Sequence, residues 1–353
     1  MCRFFADGKY KVSSTKETSY RFAKKWAEEW FDELRYGKRK GIPIHDKTFS
    51  EVSKLFLDYQ DRMVQKGDRS SRQAKDYMYR INELNKYFSK VGISKININN
   101  IDEYRSYRLL NPKKPVSRNT VKYDLLGLRQ VLKFAMNQGW IEILPIFPET
   151  KKIESNPRPW FSPEEWKVLK NASFERIKQA RGKRQKWERE QLHDFMIFIV
   201  HTGVRVEEAL TIQFQDCIIE DKENNADKKL RLELKGKTGI RISFGTQTAV
   251  NVYERLRKRN NPKKADLLFP KNHRDGLNNL LKETNLKYDR FGNVRNAKSF
   301  RSTYIMLRLV KGEVPIKNIA VNCGTSTHVI DKYYAKYLTA DMISESLSDL
   351  PKT

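Results

Sequence analysis

Apolar residues fall along this chain in blocks with a period close to four, separated by polar stretches carrying Gly, Pro or charge, and that pattern predicts a mainly helical protein. The first block differs. "RFFADGKYKVSS" alternates, with Asp7-Gly8 as a hairpin-type turn, before "KETSYRFAKKWAEEWFDELRYG" turns helical with Phe22, Trp26, Trp30 and Leu34 every fourth residue. A small strand-helix unit is expected over 1–46, closed by the polar connector "RYGKRKGIPIHDK". From 47 to 145 the spacing predicts a compact helical domain. Thr48 or Ser50 caps the first helix, Ser70 or Ser71 the second, "NIDEYRSYRLL" is a short third, and the fourth carries Val121, Leu125, Leu128, Leu132 and Ala135 on one stripe.

A basic, proline-rich linker with no helical period fills 146–160, and a third domain with a C-terminal tail runs over 161–353. It opens on a strong helix start: Ser162 as N-cap, Pro163 at the first helical position and Glu165 placed for a capping box. Most of it reads as helix, but "KKLRLELKGKTGIRISF" alternates at Leu230, Leu232 and Leu234, turns, and alternates again at Ile240, Ile242 and Phe244. The expected fold class is therefore mainly α, with a small β-hairpin or sheet in the third domain.

Charge narrows the function. The 353 residues hold 70 Lys and Arg against 43 Asp and Glu, a formal net charge of +27, and the excess is spread along the chain rather than confined to one tail. Self-repulsion of that size points to a polyanionic partner such as nucleic acid. No run is long enough to cross a bilayer, no basic amphipathic helix suggests membrane-surface binding, and the N-terminus lacks the pattern of a secretory signal. Cys2, Cys217 and Cys323 are too scattered for a disulfide framework or a zinc site, so a cytoplasmic setting is expected, nucleoid-associated in a prokaryote or in the host cytoplasm if phage-encoded. There is no Walker loop and no acidic cluster of metal-ligand spacing, so neither metal nor cofactor is expected.

Candidate chemistry clusters in the third domain. In "HTGVRVEEAL", Glu208 sits three residues after Arg205, where a carboxylate can hold a guanidinium. Lys235 and Lys237 lie at the hairpin tip. Lys298 and Arg301 open a helix, where cations are unfavourable unless an anion is bound there. Tyr333, Tyr334 and Tyr337 crowd one short segment near the C-terminus. In the helical domain, the fourth helix opens on "PVSRNT", and its free N–H groups beside Arg118, Asn119, Thr120 and Lys122 suit a phosphate.

In order and spacing these segments resemble the tyrosine recombinase, or phage integrase, family. "TGVRVEE" is similar to the family's arginine helix, "GKTGIR" to its lysine hairpin, "KSFR" to its H/K-x-x-R pair, and "CGTSTHVIDKYYAKYL" to the segment bearing its nucleophile. The resemblance implies a helical, SAM-like core-binding domain followed by an α+β catalytic domain. It assigns catalysis to Arg205, Lys237, Lys298, Arg301 and Tyr334, with Glu208 in support, and it leaves Tyr333 and Tyr337 to packing or phosphate contact. Two departures stand out: Lys298 occupies the usual histidine position, and the late His or Trp position is Thr325, so that contact is absent or supplied by His328. The implied activity is site-specific recombination of duplex DNA through a 3′-phosphotyrosine, serving integration or excision of a prophage or mobile element. The implied partners are double-stranded DNA gripped between two domains, a homotetramer on DNA and a directionality factor. The N-terminal unit favours an integrase over a minimal resolvase and is a candidate for arm-site DNA. Two rivals remain at this stage, a catalytically impaired architectural protein of the same fold and a type IB topoisomerase-like strand relaxer.

Overall fold

The computed structural model describes residues 1–6, 9–39, 46–112, 114–149, 157–221, 228–236 and 239–344. The chain divides into two compact units, Met1–Glu154 and Ser155–Thr353.

In the first unit, β1 (Cys2–Ala6) pairs antiparallel with β2 (Lys9–Ser13), Cys2 opposite Ser13 and Ala6 opposite Lys9. The expected Asp7-Gly8 turn lies outside the described residues. Helix α1 (Tyr20–Arg39) realises its apolar period only in part: Trp26 stacks on Trp30 at 5.9 Å and Phe31 meets Phe4 edge-on at 5.2 Å, but Phe22 stays 61% exposed. A hairpin of two five-residue strands is too small to cover the whole face.

Four helices follow, α2 (Phe49–Gln65), α3 (Ser71–Phe88), α4 (Ile98–Leu109) and α5 (Arg118–Asn137). Thr48 caps α2 in a reciprocal capping box with Glu51, and Ser70 and Ser117 cap α3 and α5 through their hydroxyls. All five stripe residues of α5 are buried, packed with Phe49, Phe56, Leu84, Phe88 and Tyr104 in one core. Each large side chain so buried contributes roughly 1.5–3 kcal/mol. One polar network penetrates that core: buried Asp124 accepts from the Tyr104 hydroxyl at 3.0 Å and from Arg108 Nε at 3.1 Å, and Arg108 also reaches Glu83 at 2.7 Å.

The second unit opens with α6 (Pro163–Lys178), capped by Ser162 and Glu165 in a capping box with Pro163 in the first turn. It continues through α7 (Lys183–Thr202), α8 (Val206–Ala209), β3 (Cys217–Glu220), β4 (Lys229–Gly236) and β5 (Gly239–Gly245). Then come α9 (Gln247–Asn260), α10 (Arg274–Glu283), α11 (Lys298–Lys311), α12 (Ile316–Cys323), α13 (Thr327–Tyr333) and α14 (Ala340–Ile343). The sheet is antiparallel in the order β3-β4-β5. Leu230, Leu232 and Leu234 of β4 point into the main core with Phe195, Phe198, Leu256 and Phe269.

Strand β5 departs from expectation. Its apolar residues Ile240, Ile242 and Phe244 are 71%, 46% and 42% exposed, and the inward positions belong to Arg241 and Ser243. The alternation is real but its faces are reversed, because what β5 meets is a set of hydrogen-bonding groups on α8 and α12 rather than an apolar layer. Among the described residues no helix is long and apolar enough to cross a membrane, and no group of three or more His, Cys, Asp or Glu is placed to hold a metal ion.

Candidate active site

Helix α7 must stop where the site begins. Gly203 takes φ +69° after it, and a Cβ there would lie 2.5 Å from the Tyr304 ring, so both backbone and space require glycine. The chain then extends into Arg205, the N-cap of the one-turn helix α8, whose third residue is Glu208.

Glu208 is 7% exposed and accepts from Arg205 and Arg241 on both of its oxygens, Arg241 Nε reaching Oε1 at 3.4 Å. Arg205 N donates to Oε2 at 2.8 Å and Arg205 Nη1 to Oε1 at 2.7 Å, while Arg241 Nη2 from β5 reaches Oε2 at 2.7 Å. Burial pushes the Glu208 carboxyl up, but the bonds from Arg241 and Arg205 outweigh it and hold the group below the usual carboxylate range. It therefore stays ionised and fixes Arg205. Arg205 Nη2 also donates to the Gly324 carbonyl. Gly324 follows α12 at φ +62°, and a Cβ on it would sit 2.5 Å from Arg241 Nε. Arg241 Nη1 and the Ser243 hydroxyl donate to the Asn322 carbonyl at 2.7 and 2.9 Å. Sheet edge, arginine helix and tyrosine-bearing segment are thus tied by one network.

Helix α11 supplies the second cationic pair. It has no acidic residue in its first turn, where Asn296 Oδ1 accepts from Lys298 N at 2.9 Å, and its positive end carries Lys298 and Arg301. Arg301 is 8% exposed and donates through Nη1 to the Gly203 carbonyl at 2.8 Å. Burial is the main influence lowering its pKa below the ordinary guanidinium value, and neighbouring Arg205 acts in the same direction. Lys298 is 75% exposed on its side chain and lies 3.9 Å from Glu207.

Tyr334 caps the C-terminal end of α13 and is 2% exposed, seated in a small apolar cluster with Ile305, Ile319, Cys323 and Ile330. Arg158 Nη1 lies 3.4 Å from its hydroxyl. Arg205, Lys298, Arg301, Thr325 and Tyr334 converge with Arg158 on one cavity of about 200 Å³. One buried cation, Arg301, and the more exposed Arg158, Arg205 and Lys298 thus line a small cavity with a hydroxyl at its wall, an arrangement suited to an anion.

The remaining sequence-predicted residues are distributed as follows. Lys237 lies outside the described residues, between the paired ends of β4 and β5, Gly236 and Gly239. Lys235 is exposed near the end of β4. His328 is exposed on α13 and does not line the cavity. Arg118, Asn119, Thr120 and Lys122 are all exposed in the first two turns of α5, where Ser117 Oγ accepts from Thr120 N at 3.1 Å. Tyr333 is half-buried beneath the Arg158 guanidinium, 4.8 Å from its ring centre. Two site residues escaped the sequence reading. Arg241 could have been found from the polar members of the β5 alternation, whereas Arg158 sits between prolines in a stretch with no periodic signal.

Comparison with known proteins bears on both units. Residues 52–153 match the phage integrase SAM-like domain family. No curated protein sequence matches the chain. Among solved structures, the chain is similar to a lambda integrase tetramer bound to a Holliday junction, with a TM-score of 0.58 at 14% identity over 92% of each chain. It is also similar to the Tn1549 transposon integrase in complex with transposon right-end DNA, with a TM-score of 0.57 at 13% identity over 85% of this chain and 98% of that one. A third is the XerH site-specific recombinase bound to its difH substrate, with a TM-score of 0.56 at 17% identity over 77% and 78% of the two chains. At these identities the likeness is one of fold.

Proposed function

We propose that this chain, which has the tyrosine recombinase fold and carries a phage integrase SAM-like domain, is a site-specific DNA recombinase that uses Tyr334 as its nucleophile. One observation carries the reading: Arg205, Arg301, Lys298 and the buried Tyr334 come from three separate stretches of sequence and meet at one cavity of about 200 Å³. The fold likeness to DNA-bound recombinases supports duplex DNA as the substrate.

In this mechanism the two guanidiniums clamp the non-bridging oxygens of the scissile phosphate, with bonds that strengthen as charge grows there in the transition state. Glu208 keeps Arg205 oriented without competing for the substrate, since its own oxygens are already engaged. Lys298, exposed at the mouth, is assigned to the phosphate. Attack forms a bond from phosphorus to the Tyr334 oxygen and breaks the bond to the 5′ oxygen. The phenol loses one proton and the leaving oxygen gains one, from Lys237, so the exchange is neutral in protons. The 3′-phosphotyrosine conserves the phosphodiester bond energy, and attack by a 5′ hydroxyl of another strand reseals it. Arg118, Asn119, Thr120, Lys122 and Lys235 are assigned to phosphates outside the reacting centre. Strand exchange calls for four protomers on two duplexes, and the biological role we assign is integration or excision of a mobile element, with direction set by an accessory factor.

The test is covalent trapping on a nicked duplex built from the sequence this protein selects out of a random pool. Tyr334→Phe abolishes the adduct, whereas Tyr333→Phe and Tyr337→Phe retain it. An adduct that survives in Tyr334→Phe and disappears in either neighbour refutes the assignment.

A further inference from the structure

We infer that Arg158 is a further catalytic residue, a third arginine that touches the attacking oxygen itself; the inference rests on Tyr334 being the nucleophile. It lies in the stretch just before α6, outside every segment that the sequence marks for chemistry. Its Nη1 is 3.4 Å from the Tyr334 hydroxyl, and its guanidinium lies over the Tyr333 ring at 4.8 Å and the Tyr334 ring at 5.7 Å.

The placement is built rather than incidental. An exposed arginine ordinarily wanders over many rotamers, at an entropic cost when ordered, but here the backbone on both sides is pinned. Arg158 N donates to the Tyr333 carbonyl at 3.4 Å, the Trp160 carbonyl accepts from Arg295 Nε at 3.0 Å, and Phe161 N donates to Thr303 Oγ1 at 2.9 Å. Arg295 is itself 3% exposed and bound to Glu165 at 2.6 Å, and Phe161 is fully buried against Phe300 at 5.7 Å. A short extended segment is thus clamped to α6, α11 and α13, and it delivers one guanidinium to the phenol.

Electrostatics agrees. Among the described residues Arg158 has no carboxylate partner, and it shares its cavity with Arg205, Lys298 and Arg301 against the single acid Glu207. Four cations converging on so small a space repel one another until an anion enters. The guanidinium fork can serve both anions of the reaction, donating to the Tyr334 oxygen as charge develops there and keeping its other N–H groups for the phosphate. Stacking on Tyr333 holds its plane, which gives Tyr333 a role in packing rather than in attack.

The test measures the rate of adduct formation on the nicked duplex at saturating DNA, together with DNA affinity and thermal melting, for the parent, Arg158→Ala, Arg158→Lys and Tyr334→Phe. The expected result is a loss of roughly a hundred- to a thousandfold in the rate for Arg158→Ala, the size seen when one preorganised donor to a developing charge is removed. Affinity changes by less than about threefold, free guanidinium ion partly restores the rate, and Arg158→Lys, which keeps charge but not the fork, falls between. Arg158→Lys carries the test on its own if Arg158→Ala melts early. A rate within twofold of the parent, a faster rate, or a loss that follows affinity alone overturns the inference. A parent that forms no adduct, or an adduct that persists in Tyr334→Phe, instead overturns the recombinase reading, so the two failures are distinct.

Discussion

Tyr334 and Arg205 illustrate how little of a residue's chemistry belongs to the residue alone. A phenol in water is a poor nucleophile and a guanidinium in water is strongly hydrated, but burial of Tyr334 to 2% exposure and engagement of Arg205 by Glu208 fix both before substrate arrives. Lys237 is the one assigned catalytic side chain outside the described residues, and its role can be separated from phosphate binding by substrate chemistry. Lys237→Ala is expected to slow cleavage of ordinary DNA by about a hundred- to ten-thousandfold, the range for lost general acid catalysis. A substrate with sulfur in place of the bridging 5′ oxygen needs no proton on its leaving group, so the variant should recover most of its rate there, and Lys235→Ala should show little defect on either substrate. If Lys237→Ala stays equally slow on the sulfur substrate, the lysine positions DNA and donates no proton.

At the scale of elements, the sequence was most legible where one periodic face meets one core. The α5 stripe, the Ser162 cap and the inward leucines of β4 follow from local pattern and are realised in the structure. Legibility failed where a strand meets polar partners. Nothing local to "GIRISFG" tells that Arg241 and Ser243 face α8 and α12, because Glu208 and Asn322, which they bond, are 33 and 79 to 81 positions away in sequence. The reversed strand makes a prediction at the same scale. Arg241→Ala leaves Glu208 short of a buried partner and should destabilise the second unit by about 3–5 kcal/mol, on the order of 10 °C in melting temperature. Ile242→Ala, on the exposed face, should shift melting by far less. The opposite ranking in thermal melts would show that the apolar face of β5 is the one that holds the strand.

At the scale of the whole molecule, an excess of 27 positive charges makes sense only with a polyanion in view, and it sets the salt dependence of binding. If six or more phosphates are neutralised, the log–log slope of affinity against salt is about −5 or steeper, roughly a thousandfold loss between 50 and 200 mM. A flat binding curve over that range would remove DNA as the natural partner. The candidate site residues could be picked out in order and spacing by their resemblance to a known family, but the convergence of Arg205, Lys298, Arg301 and Tyr334 on one cavity, and the entry of Arg158, depend on tertiary contacts that no local period encodes. The most direct measurement of the central claim is the chemical identity of the protein–DNA link. Wild-type protein trapped on the nicked duplex, digested with protease and nuclease and read by tandem mass spectrometry, should yield one nucleotide-bearing peptide modified at Tyr334 through a 3′-phosphate. A link on any other residue, or no link at all on DNA that the protein binds, would contradict the account.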